Sequence, residues 1–339
     1  MTTIQRVGFG LGYEPEMTAR DMLQWVIEVE KRNFELAFFS ETIQTLRDAI
    51  STHAAFAINT SRIKLGCTQI VRLRTPLVMT QTFASLDEIS NGRMVLSLGA
   101  CTDSHSRKNG LPLQNPAKSL REHTHLIREY WTHAGGDVNF TGETIQVSGE
   151  GLSIRPRRPK IPIWIAATSK TGLQIAGQIG DGVLLNATTS PEYTRNALEI
   201  VRKAATKAGR DPEKLEIAGI VVAAVTDGKS YDDVRKEIAS KFVPLQVDFA
   251  VRPRMRVGEP YVTEELIEKL LKSHKEGGVE KLMRDIPDSV ILGLTAVGNA
   301  REVRERIDEY RKAGIQLPIV RPANAKVVKA TLDAVTPSS

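Results

Sequence analysis

The chain has 339 residues, room for two average domains or one large α/β barrel, and enough to bury a core without disulfide or metal staples. Lys and Arg number 46 against 40 Asp and Glu; the net charge of +6 is too mild for a nucleic-acid binder but compatible with a small anionic partner. Two cysteines, Cys67 and Cys101, exclude a disulfide scaffold and a cysteine zinc centre, and no metal site is expected. The first residues lack a signal peptide's apolar run, and no stretch of about 18 apolar residues follows, so a cytoplasmic protein without a membrane partner is expected.

Val7 to Leu11 is the first short apolar run, and Met17 to Arg32 follows with Met22, Trp25, Val26 and Val29 at helical spacing. Leu36 to Ser40 reads as strand, Ala49 to Ile58 as helix, Ile63 to Val71 as strand and Thr75 to Ser90 as helix, closed by the turn Ser90 to Arg93. Met94 to Leu98 is strand and Pro116 to His133 helix. Ile161 to Ala166 and Gly182 to Leu185 are strands flanking the helix Lys170 to Ile179. Pro191 to Ala208 is helix, Ile217 to Val225 strand, Ser230 to Phe242 helix, Ala300 to Ala313 helix and Leu317 to Val320 strand. Eight continuous apolar strands alternating with helices predict a parallel sheet covered on both faces, and eight such units predict a single (β/α)₈ TIM barrel spanning 1–339. Two stretches interrupt the alternation. Asp137 to Pro159 reads as an inserted hairpin, and Pro244 to Asp288 as a helical insertion after strand seven. In a barrel, ligands bind among the loops that follow the strands.

Common nucleotide and nucleophile motifs are absent. The glycines of GFGLG, Gly8, Gly10 and Gly12, lack the third glycine of a dinucleotide fingerprint; they read as close backbone packing at the barrel mouth. Polar residues that follow the strands gather at that mouth: Ser40, Glu41 and Thr42; Thr68, Gln69, Arg72 and Arg74; Thr102, Asp103 and His105; Thr168, Ser169 and Lys170; Asn186; Arg321. Ala167 to Gly172 (ATSKTG) opens a helix. Its free N–H groups and dipole favour an anion, with Lys170 adjacent, although Ser169 or Thr168 equally serves as a plain N-cap. Glu41 reads either as a general acid/base or as a first-turn acid. His105 reads as a loop histidine, and the cysteines as small buried hydrophobes. RPRRPK, Arg155 to Lys160, reads as a solvated loop.

Arg62 to Cys101, Pro162 to Ala187 and the tail Gly298 to Pro322 together resemble the bacterial-luciferase-like oxidoreductases. The IAAT segment looks most like the coenzyme F420-dependent branch that includes methylenetetrahydromethanopterin reductase. The resemblance implies a homodimeric barrel with the cofactor at its C-terminal mouth and a non-proline cis peptide joining Thr68 and Gln69. It places the phosphate at Thr168 to Lys170 and implies cofactor contacts from Glu41, Thr68, Gln69, Val71, Ala100, Cys101, Ala167, Thr168, Ser169 and Lys170. Glu41, Asp103 and His105 are the implied catalytic groups.

The chain departs from that family pattern in three places. Glu41-Thr42 stands where many members carry Asp-His, Thr102 or Asp103 where sugar and alcohol dehydrogenases carry a glutamate, and Gly10 or a neighbour where methanopterin reductases carry theirs on strand one. A proton-abstracting alcohol dehydrogenase is thereby disfavoured. The resemblance implies hydride transfer between coenzyme F420 and a small organic substrate. The alternatives are an FMN-dependent monooxygenase fed by a separate reductase and a flavin-binding protein without turnover.

Overall fold

The computed structural model describes residues 6–12, 17–43, 46–101, 103–226, 231–241 and 257–337. Eleven strands occur in it: β1 (Gly8–Gly10), β2 (Leu36–Ser40), β3 (Lys64–Ile70), β4 (Met94–Gly99), β5 (Asp137–Thr141), β6 (Gln146–Glu150), β7 (Ile163–Ala166), β8 (Gly182–Leu185), β9 (Glu216–Val225), β10 (Ala296–Gly298) and β11 (Leu317–Pro322). The helices are α1 (Ala19–Lys31), α2 (Ala49–Asn59), α3 (Pro76–Ile89), α4 (Asp103–Lys108), α5 (Pro116–Thr132), α6 (Lys170–Ile179), α7 (Pro191–Lys207), α8 (Tyr231–Lys241), α9 (Glu264–Asp285), α10 (Asp288–Leu294), α11 (Ala300–Lys312) and α12 (Val328–Val335).

The helix starts carry their own signals. Thr18 and Asp21 form a reciprocal capping box on α1, Asn299 and Glu302 another on α11, and Ser190 followed by Pro191 opens α7. The turn after α3 needs two residues with positive φ, supplied by Asn91 (58°) and Gly92 (83°).

Strands β11, β1, β2, β3, β4, β7, β8 and β9 pair in parallel, and the β8–β9 pairing closes the ring. The eight strands read from the sequence are these eight. The short β10 was not expected; it pairs with the far end of β9, Ala296 opposite Ala223 and Gly298 opposite Val225. The hairpin insertion is the antiparallel pair β5–β6. Residues 244–256 of the helical insertion lie outside the described residues, as do 242 and 243 before it. The rest forms α9 and α10, with α9 broken at Gly277 and Gly278.

Side-chain alternation sorts the core into two layers. Leu36, Phe38, Val95, Trp164, Leu184, Ile220, Leu317 and Ile319 pack together and fill the barrel. Phe39, Leu65, Leu96, Leu98, Ile163, Ile165, Val183 and Val320 pack against the helices.

Two sequence expectations are corrected. RPRRPK is not simply solvated: Arg158 donates to the fully buried Asp87 at 2.6 Å and to the Met94 carbonyl at 2.6 Å, while Lys160 reaches Asp181 at 2.5 Å. A buried carboxylate needs such a partner. The Thr68–Gln69 peptide is trans; the cis bond among the described residues is Glu259–Pro260. Thr68, Gln69 and Ile70 continue an unbroken ladder with Ser97, Leu98 and Gly99, so no bulge forms that would offset the roughly 3 kcal/mol cost of a non-proline cis bond.

Candidate active site

The mouth is built in rows that the register defines. Ser40 pairs with Thr68, Thr68 with Ser97, and Ser97 with Trp164. These residues continue the inward face of Phe38, Gly66 and Val95: a Cβ on Gly66 would lie 2.6 Å from the Phe38 ring. The next row up is small. A Cβ on Gly99 would lie 3.8 Å from Ala166 Cβ and 3.9 Å from Thr68 Cγ2, so Gly99 and Ala166 leave flat space above Thr68, while Ala100 and Ala167 pack toward the helix-facing core. The hydroxyls of Thr68 and Ser97 are buried without a hydrogen-bond partner.

Alternation puts Glu41 and Gln69 on the opposite face, toward α2 and α3. Gln69 is fully buried; its amide nitrogen donates to Cys67 Sγ at 3.3 Å and its oxygen accepts from Arg74 at 3.3 Å. Glu41 Oε2 accepts from the Ala49 amide at the start of α2 at 3.4 Å. Burial, with Asp48 nearby, pushes the half-buried Glu41 carboxyl above its ordinary value. Burial also pushes the Cys67 thiol up to about 12, which makes it a packing residue and not a nucleophile. Val71 is fully buried in the helix-facing core, away from the inward rows.

After β4 the chain turns at Cys101, whose φ is 60°. Arg72 holds this turn, donating to the carbonyls of Ala100 at 2.8 Å, Cys101 at 3.2 Å and Pro112 at 3.2 Å. Thr102 lies outside the described residues. Asp103 and His105 stand in α4, but their side chains also lie outside the described residues.

After β7, Ser169 caps α6 by accepting from Gly172 N at 3.1 Å. Gly172 is required there, because a Cβ would lie 2.8 Å from Ala167 Cβ. The cap occupies one amide and leaves the amides of Lys170 and Thr171 at the helix N-terminus, with the exposed Lys170 side chain beside them. Tyr193 OH donates to the Thr168 carbonyl and fixes this loop against α7.

The structure thus brings Thr68, Ala100, Ala167, Thr168, Ser169 and Lys170 to one mouth and sets Glu41 and Gln69 behind its rim. Sequence reading passed over Ser97, Tyr193 and the clamp function of Arg72. A serine inside the apolar run MVLSLG was the available signal for Ser97, since a buried hydroxyl wants a partner. A separate cavity of about 500 Å³ lies outside the barrel, against Tyr231, Asp288, Glu302 and Arg306. Its acids already serve structure: Asp288 accepts from Arg235 at 2.9 Å, and Glu302 caps α11.

A family model, luciferase-like monooxygenase, matches residues 2–317. The chain belongs to that family. A 5,10-methylenetetrahydromethanopterin reductase of Archaeoglobus fulgidus is 28% identical over 313 residues, covering 91% of each chain. Among solved structures, the coenzyme F420-dependent tetrahydromethanopterin reductase of Methanopyrus kandleri superposes with a TM-score of 0.82 at 23% identity, covering 98% of each chain. An F420-dependent secondary alcohol dehydrogenase in complex with an F420-acetone adduct superposes with a TM-score of 0.74 at 18% identity, covering 98% of this chain and 99% of that one. For this luciferase-like chain the two structural likenesses establish the fold. The family resemblance read from Arg62 to Cys101 and Pro162 to Ala187 is met over nearly the whole length.

Proposed function

We propose that this luciferase-like protein is an oxidoreductase that uses coenzyme F420 to transfer a hydride to or from a small organic substrate. The observation that carries the reading is the open α6 N-terminus beside Lys170, set one strand away from the small-residue row of Gly99 and Ala166. Together they offer an anion site and a flat apolar slot to one phosphate-bearing ring cofactor. The relatives named for F420 support it. FMN offers the same two features, and the family's monooxygenase members keep an FMN-dependent monooxygenase as the second reading.

When bound, the cofactor supplies the hydride chemistry. The chain's residues do the rest. The amides of Lys170 and Thr171 and the Lys170 ammonium hold the phosphate, with Thr168 and its Tyr193 tether fixing the loop. Gly99 and Ala166 would flank the ring and exclude water from one face. Glu41 keeps a proton at its carboxyl to higher pH than an ordinary glutamate and steadies the rim through Ala49 and Gln69. Arg72 positions the turn that leads to Asp103 and His105, which act at the substrate.

We place the whole chain, 1–339, in one functional domain, its two insertions shaping substrate choice. We place it in the cytoplasm; no helix among the described residues is long and apolar enough to cross a membrane, and Cys67 and Cys101 form no disulfide. The assembly is a homodimer through the outer faces of α2 and α3, where Ile58 is 72% exposed, Val78 46% and Ile89 44%. Light scattering of the purified protein should return twice the chain mass; a monomer at micromolar concentration contradicts the dimer.

Titration of the purified protein with F420 and with FMN, followed by cofactor fluorescence, tests the function. Saturable F420 binding with weak FMN binding is expected. Tight FMN binding with no affinity for F420 would replace this reading with the monooxygenase one.

A further inference from the structure

We propose that His53 is a proton-operated tie between α2 and β3 that sets the seat of Glu41 behind the mouth. The neutral ring makes one bond, within α2, and the charged ring adds a second, to β3. The tie stands on its own geometry; its bearing on cofactor binding rests on the F420 reading above.

His53 is fully buried on α2. Its Nδ1 lies 2.8 Å from the Ala49 carbonyl, one turn back on the same helix, and its Nε2 lies 3.0 Å from the Gly66 carbonyl of β3. Both oxygens can only accept. A neutral imidazole carries one N–H and one bare nitrogen, so it satisfies one of these contacts and sets a lone pair against the other oxygen. Only the imidazolium donates to both. The proton on this ring therefore decides how many bonds it makes, and the shorter contact, to Ala49, takes the single N–H of the neutral form. Phe39 of β2 and Phe56 of α2 flank the ring at 6.2 and 5.6 Å between centroids, and this packing keeps both nitrogens aimed at their carbonyls.

The surroundings set the pH range. Burial works against the charged form and holds the ring neutral until the pH falls below its ordinary 6.5. The two carbonyls and the Asp48 carboxylate at the N-cap of α2 pull the other way. The charged and titratable groups on the packed elements are Asp48 on α2, Glu41 after β2, and Cys67 and Arg74 on and after β3.

The link to Glu41 runs through one residue. The Ala49 carbonyl holds His53, and the Ala49 amide donates to Glu41 Oε2 at 3.4 Å. The second bond of the charged ring fastens the start of α2 to β3, the strand that also carries Gln69, the other partner of Glu41. Weak acid thus fixes the carboxyl between two elements that neutral pH leaves joined by packing at this point.

The test follows the whole chain by NMR, with 15N-labelled histidine and 13C-labelled carbonyl and carboxyl carbons, from about pH 8 to about pH 4.5. The sequence holds six histidines, and His53→Gln identifies the resonance by its loss. If that variant does not fold, replacing the other histidines one at a time assigns His53 by elimination. At the alkaline end Nδ1 should carry the proton and Nε2 should be bare. Nε2 should gain its proton at a midpoint below 6.5, and the Gly66 carbonyl should shift with that midpoint. Glu41 should titrate in two steps in the wild type, one of them shared with His53, and in one step in His53→Gln. The ratio of F420 affinities, wild type over His53→Gln, should rise by up to about fivefold toward the acid end, the worth of one net hydrogen bond.

A ring that stays neutral until the protein unfolds in acid, one that holds both protons at the alkaline end, or a neutral ring protonated at Nε2 would each overturn the tie. So would a Gly66 carbonyl that ignores the His53 midpoint, or F420 binding whose affinity ratio does not change with pH. Failure of F420 to bind, with His53, Gly66 and Glu41 titrating together, would instead sink the cofactor reading and leave the tie standing.

Discussion

At the N-terminal end of the barrel, Arg6 donates to Glu35 at 2.6 and 2.7 Å and to Glu216 at 3.0 Å, while Lys64 reaches Glu35 at 2.9 Å. At the C-terminal end, Glu41 accepts a 3.4 Å bond from Ala49, and the hydroxyls of Thr68 and Ser97 meet no partner. Both ends are ringed by residues at strand termini, yet their acids behave oppositely. Although burial works against it, Arg6 and Lys64 hold the Glu35 carboxyl down at about 2, whereas burial pushes Glu41 up. One end satisfies its polar groups internally and supports stability. The other leaves two inward hydroxyls without a partner and holds a proton on a carboxyl behind its rim, as the end that must receive a ligand does.

The largest expected effect breaks the closed end. Arg158→Ala strands the fully buried Asp87 carboxylate and should destabilise the protein by about 3 kcal/mol in denaturant unfolding, with F420 affinity unchanged. A loss below about 1 kcal/mol, the size of a surface pair, would show that Asp87 has other support.

A smaller effect is expected at the open end. Lys170→Ala should weaken F420 about tenfold by removing a charge-assisted contact to phosphate, and should leave unfolding unchanged because the side chain is exposed. Unaltered affinity would mean that Ser169 and α6 form a plain capped helix there.

The smallest effects sharpen the contrast through pH. Glu35 is depressed from 4.5 to about 2, so it contributes stability above pH 4.5 that is lost as pH falls toward 2. Glu35→Gln should therefore destabilise at neutral pH and cease to matter in strong acid. Glu41 has the opposite sign. Its folded carboxyl titrates above its ordinary 4.5, so the folded state binds more protons and stability falls as pH rises through that interval. Glu41→Gln should remove this fall and be neutral or slightly stabilising at pH 7. Parallel pH profiles for the two variants would contradict the assignment of opposite roles to the two ends.

The sequence made the barrel legible because each of its strands is a continuous apolar run between turn residues, and most of its helices announce their start, as Thr18, Ser169 and Ser190 do. β10 escaped because Ala296–Gly298 is too short to carry a pattern. Arg158 escaped because its partner Asp87 lies 71 residues away, a separation no local motif encodes. The same limit applies at the site. The anion-ready loop at Thr168 to Lys170 was visible as a helix start beside a lysine. The direction of Glu41 and Gln69, and the meeting of Thr68 with Ser97, depend on strand register, which folding sets.

The most direct measurement of the central claim is a crystal structure of the protein soaked with F420. The account predicts the ring against Gly99 and Ala166, with the phosphate within hydrogen-bond distance of the Lys170 amide or ammonium, roughly 3 Å. A phosphate bound elsewhere, or a ring outside the barrel mouth, would contradict it.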